Sequence, residues 1–71
     1  MEEQNGQQER PAYQVRVIEE KTELDAKIEK LDSFLANPKG LDYKAESLLR
    51  AQFSAMTLYS WILKERILSF G

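Results

Sequence analysis

Asn37-Pro38-Lys39-Gly40 interrupts an otherwise unbroken helical pattern, and its reading decides the fold. Asparagine tolerates left-handed geometry, proline cannot continue a helix, and glycine supplies the freedom a reversal needs. Asp42 behind the break is a good N-cap, and Glu46 in the following turn suits the positive end of a new helix. A connection of four or five residues makes its two flanking helices antiparallel neighbours.

Upstream of the break, no Gly or Pro occurs between Pro11 and Ala36. Val17, Leu24, Ile28, Leu31 and Leu35 recur in three- and four-residue steps, interrupted at Lys21, which is a near-heptad helical seam. Pro11 suits a helix start, where its missing N–H costs nothing. One helix is therefore expected over about residues 11–36. Glu23 and Lys27, one turn apart on it, are spaced for a weak ion pair. Ahead of it, Met1 to Arg10 is polar and aperiodic and reads as a flexible N-terminal arm.

Downstream, a second helix is expected over about residues 42–69, with its seam through Ala45, Leu48, Leu49, Gln52, Met56, Tyr59, Leu63, Ile67 and Phe70. Phe53, Leu58, Trp61, Ile62 and Leu68 fall outside that seam. One neighbouring helix covers only a single stripe, so this wider apolar surface calls for a further partner. The fold class is all-α: an antiparallel hairpin of two long helices, residues 11–71, assembled into a homo-oligomeric helical bundle. Its small size points the same way, because a core from only 71 residues seldom suffices alone.

Composition narrows the chemistry. There are no cysteines and no histidines, which excludes disulfides, thiolate nucleophiles, Cys/His metal sites and histidine general bases. No glycine-rich phosphate loop is present, and no Ser or Thr has a base partner. The carboxylates of the first helix (Glu19, Glu20, Glu23, Asp25, Glu29, Asp32) lack the Glu-x-x-His spacing of bundle metal sites and read as a solvated face. An enzyme is not expected, nor any cofactor or metal. No apolar run reaches the length of a membrane span, and nothing near Met1 resembles a signal peptide, so a cytosolic protein fits best. Net charge is −2, split as −4 over residues 1–36 and +2 over 37–71. No basic run suits long DNA or RNA, although a few placed cations are compatible with a small anion.

Four polar or aromatic residues stand out. Lys27 flanks Leu24 and Leu31, while Gln52 and Arg66 fall in the expected second seam. Each has a plain reading, a stem covering apolar surface with its head in water, and a functional one, in which Lys27 and Arg66 converge from two helices or subunits on an anion. Tyr13, in the first turn of helix one, is either an aromatic packed on the open end of the hairpin or a platform for stacking a flat base. Tyr59 and Trp61, set among aliphatics, belong to a core or an interface.

The run Tyr13-x-x-Arg16-Val17-Ile18-x-Glu20-Lys21-x-x-Leu24-x-x-Lys27-x-x-x-Leu31-x-x-Phe34 forms one half of a further pattern. The other is Leu48-Leu49-x-x-Gln52-x-x-x-Met56-x-x-Tyr59-x-x-x-Leu63-x-x-Arg66-Ile67-x-x-Phe70. Together they resemble a family of small bacteriophage proteins that counter CBASS immunity, the cyclic-oligonucleotide sponges called the second anti-CBASS family. The resemblance covers roughly residues 11–70. It implies a helical homohexamer in the cytoplasm of the infected bacterial host that holds cyclic dinucleotides between subunits without cleaving them. Some members also hold cyclic trinucleotides at a separate site. By the same resemblance Tyr13 stacks on a base, Gln14 offers its amide, Lys27 pairs with a phosphate, and Arg66 serves the trinucleotide. Glu29 departs from the pattern, standing where a small hydroxyl residue is expected. The competing reading is a helical protein–protein interaction module, an adaptor or inhibitor with no nucleotide ligand.

Overall fold

The computed structural model describes residues 10–70 and consists of two helices, α1 (Ala12–Ala36) and α2 (Tyr43–Leu68), packed against each other as an antiparallel hairpin. The expected arm before Arg10 lies outside the described residues. Pro11 stands at the N-cap of α1, and its carbonyl accepts from the N–H groups of Gln14 and Val15. At the break, Asn37 ends α1 with its N–H on the Phe34 carbonyl, and Gly40 takes φ 74°. That angle is strained for any residue with a Cβ, which is why glycine belongs there. Asp42 then caps α2, its carboxylate accepting from the Ala45 N–H at 2.8 Å.

The inner faces follow heptads. On α1 the side chains turned to the partner are Gln14, Val17, Lys21, Leu24, Ile28, Leu31 and Leu35, each buried or half-buried. Lys21 therefore completes the seam that its charge seemed to interrupt. On α2 the inner series is Leu49, Phe53, Met56, Ser60, Leu63 and Ile67, continued just past its end by Phe70. This corrects the expected second seam at three places: Leu48, Gln52 and Tyr59 are exposed, whereas Phe53 and Ser60 turn inward. Arg66 likewise lies beside the seam and not in it. Leu63 is wholly excluded from solvent.

A polar layer crosses the middle of this apolar seam. Lys21 donates to Asp25 (2.6 Å) and to Ser60 Oγ (3.0 Å), and the Ser60 hydroxyl donates to the other Asp25 oxygen. A heptad slip between the helices would set the Lys21 ammonium against Phe53 or Ile67, so the layer selects one register, as single polar core positions do in coiled coils. Near the turn, Arg50 pairs with Glu46 (2.8 Å) and reaches across to the Leu35 carbonyl (3.2 Å), satisfying an acceptor that the end of α1 would otherwise leave open. The spacing-based Glu23–Lys27 pair does not form; the ion pairs among the described residues are Lys21–Asp25 and Glu46–Arg50.

The hydrogen bond from Lys21, aided by that from Ser60, holds the Asp25 carboxyl below the ordinary aspartate range. A carboxylate with a depressed folded-state pKa contributes stability above its unfolded value and loses it as pH falls through the folded one. Asp25→Asn is thus expected to leave thermal stability less dependent on pH from about pH 4 downward, the range in which unfolded aspartate titrates. Melting curves at stepped pH measure this, and an unaltered acid limb would contradict it. The effect is modest because Asp25 is half exposed.

The molecule measures 52 × 23 × 14 Å, so along its shortest axis it is one helix thick. Much of α2 remains uncovered: Leu48, Leu58, Tyr59, Trp61, Ile62 and Leu68 are all exposed. No described helix is long and apolar enough to cross a membrane.

Candidate functional site

Once the seam is known, the candidate residues fall into an order. One place ahead of each alternate seam residue of α1 stand Tyr13, Glu20, Lys27 and Phe34, all exposed and seven residues apart. A straight helix drifts only about 20° per heptad, so Tyr13 and Lys27 stay within about 40° of one another on one flank. The corresponding positions of α2 are Ala45, Gln52, Tyr59 and Arg66. The Tyr59 hydroxyl donates to Glu20 across the hairpin, which ties these two rows together on the same flank. Counting one heptad each way in an antiparallel pair sets Tyr13 level with Arg66 and Lys27 level with Gln52. The four residues that seemed scattered among seams thus belong to one ribbon of surface.

Tyr13 sits at the open end of the hairpin. Its ring meets Phe70 edge-on, centroids 5.8 Å apart at 80°, and 53% of the residue is still exposed. One edge of the Tyr13 ring is thus packed on the open end of the hairpin, while much of the ring remains accessible. Gln14, by contrast, is buried at 8% exposure. Its amide donates to the Tyr13 hydroxyl (3.2 Å) and accepts from Arg10 (3.4 Å), so it is engaged within the chain. These contacts limit the rotamers of Tyr13.

Lys27 is exposed at mid-length of α1, without an ion pair among the described residues. Arg66 is exposed in the last turn of α2, where a cation suits the negative helix end, and its carbonyl accepts from the Ser69 N–H and Oγ. The structure brings Tyr13 and Arg66 to the same end, but it does not bring Lys27 to either. Fourteen residues of helix separate Lys27 from Tyr13, about 21 Å at 1.5 Å per residue. Within one subunit the expected convergence of Lys27 and Arg66 does not occur, for the same reason. Glu20 and Tyr59, which unite the flank, were visible only as the seven-residue sets 13–20–27–34 and 45–52–59–66. Among the described residues, no three carboxylates are grouped to hold a metal ion.

Comparison with known proteins adds two findings. A family model described as Sequestin matches residues 11–69, spanning both helices and the flank. An uncharacterized 7.5 kDa protein from the denB-rIIB intergenic region of Enterobacteria phage T4 is 43% identical over 61 residues, covering 83% of this chain and 95% of that protein. No solved structure matches the chain.

Proposed function

Because this chain belongs to the Sequestin family, we propose that it is a bacteriophage sponge for cyclic nucleotide signals. It works in the host cytoplasm, binding cyclic dinucleotides between subunits and releasing them unaltered, so that the CBASS effector lacks its activator. The observation that carries this reading is the flank itself: an accessible aromatic ring and an arginine at one end of a hairpin and a lysine on the same side, with Tyr13 and Lys27 too far apart, about 21 Å, to share a small ligand within a subunit. A second copy must supply one of the pair, which makes a homo-oligomer a requirement of the site.

Tyr13 stacks on a base, steadied by Phe70 and Gln14, and Lys27 of another subunit neutralises a phosphate. Gln14 acts through Tyr13 in this scheme, since its amide is already engaged. Arg66, level with Tyr13, offers a bidentate fork to a phosphate of a larger ring, a cyclic trinucleotide. No bond to the ligand is made or broken, so a site without nucleophile or general base is sufficient.

The test is stoichiometric. Purified protein mixed with a pool of cyclic di- and trinucleotides is expected to retain one or more of them through desalting. On denaturation the ligand should return at its original mass. Linear products would mean hydrolysis, and no retention across the pool would end the proposal in favour of a protein–protein module.

A further inference from the structure

Four pairs of residues stand level across the flank, each one heptad from the next: Tyr13–Arg66, Glu20–Tyr59, Lys27–Gln52 and Phe34–Ala45. The hydrogen bond from Tyr59 to Glu20 shows that side chains at such paired positions reach one another. Lys27 and Gln52 hold the same relation, yet no bond joins them among the described residues. Gln52 is exposed, and its amide nitrogen meets only Met56 Sδ, at 3.8 Å, a weak acceptor. Its carbonyl and second N–H have no partner among the described residues. One heptad nearer the turn, Phe34 stands level with Ala45, whose single methyl leaves the phenylalanine 40% exposed. About 10 Å of helix thus carries an unpaired cation, an uncommitted amide and an open aromatic ring. The other end of the flank differs: Gln14, its amide, is buried and engaged by Tyr13 and Arg10.

We propose that Gln52 reads the edge of a base in the nucleotide whose phosphate Lys27 holds, and so sets the base preference of the site. This rests on the sponge reading and adds to it a residue that discriminates among ligands. Lys27 cannot discriminate, because a phosphate contact carries no base information. A primary amide sets a donor and an acceptor side by side. It makes two bonds to adenine, donating to N7 and accepting from N6. The same edge of guanine presents two acceptors, O6 and N7, so the amide oxygen would face O6 with no hydrogen between them. Adenine is therefore favoured over guanine. Phe34 offers its open side to the base face, a contact that every base can make.

Calorimetric titration with cyclic di-adenylate and cyclic di-guanylate, at one salt concentration, tests the assignment. Gln52→Ala is expected to weaken the adenine ligand by about tenfold and to leave the guanine ligand unchanged. Gln52→Arg, whose fork matches guanine O6 and N7, should reverse the preference, whatever its added charge does to both affinities. Gln52 is exposed, so helicity by circular dichroism should stay the same in both variants. Equal losses on the two ligands would mean a phosphate contact, and no loss on either would make Gln52 a bystander. Each result overturns the inference and leaves the sponge reading intact. Failure of the wild type to bind either dinucleotide would also end the inference. The sponge reading falls with it only if the wider pool of cyclic nucleotides is refused as well.

Discussion

Leu63→Ala is expected to take away a large share of the hairpin's stability. Leu63 is wholly buried, and in the register set by Lys21 and Ser60 it falls opposite the Val17–Ile18 turn. Truncating a leucine at such a site costs about 2–5 kcal/mol, the lost transfer energy plus the cavity left behind. A chain of this size has a total stability of only about 4–11 kcal/mol. The structure also has little means of collapsing onto the gap, because one helix pair supplies all the packing. The helical signal by circular dichroism should therefore melt lower by about 8 °C or more, given about 4–8 °C per kcal/mol for domains of this size. An unchanged midpoint would show that the α1–α2 seam is not where the stability resides.

The second large effect is on binding. Tyr13→Ala removes a stacking face worth about 1–3 kcal/mol per base. Lys27→Ala removes a charge-assisted contact of about 1.5–3 kcal/mol. Taken as additive, the two contacts amount to a combined loss of about 10²–10⁴-fold in affinity for a cyclic dinucleotide. Isothermal titration calorimetry measures the loss, and circular dichroism should show the hairpin intact, since neither residue lies in its seam. An interaction module without a nucleotide ligand would be indifferent to both substitutions.

The separation of Tyr13 from Lys27 permits a sharper form of the test. If each site takes Tyr13 from one subunit and Lys27 from another, the two single variants are complementary. Denaturing and refolding them together at equal amounts should rebuild about a quarter of the sites, those that draw both intact residues. A site contained within one subunit would gain nothing from mixing.

Local signals made much of the architecture legible. Asn37-Pro38-Lys39-Gly40 and Asp42 marked the reversal and the cap, and the first helix displayed its seam because its apolar residues are few and regularly spaced. Those are properties of neighbouring residues, and they survive without any knowledge of the partner. The flank was legible only in pieces: Tyr13, Lys27 and Arg66 drew notice by residue type, yet nothing in their own helices joins them.

The second helix could not be read the same way. It is apolar around most of its circumference, so Gln52 and Tyr59 or Phe53 and Ser60 could equally have faced inward, a choice of one residue or about 100° of rotation. Tertiary contacts decided it. Lys21 and Asp25 needed the small, hydrogen-bonding Ser60 opposite them, and Arg50 needed the Leu35 carbonyl. That rotation turned Tyr59 and Arg66 to the flank of Tyr13 and Lys27, and left Leu48, Ala51, Ala55, Leu58 and Ile62 facing outward. The sequence by itself determined two helices and the reversal between them, because turns, caps and heptads are encoded locally. Which face of the second helix is the core and which joins the flank of Tyr13 and Lys27 depended on the register between the helices. That register is a property of the pair.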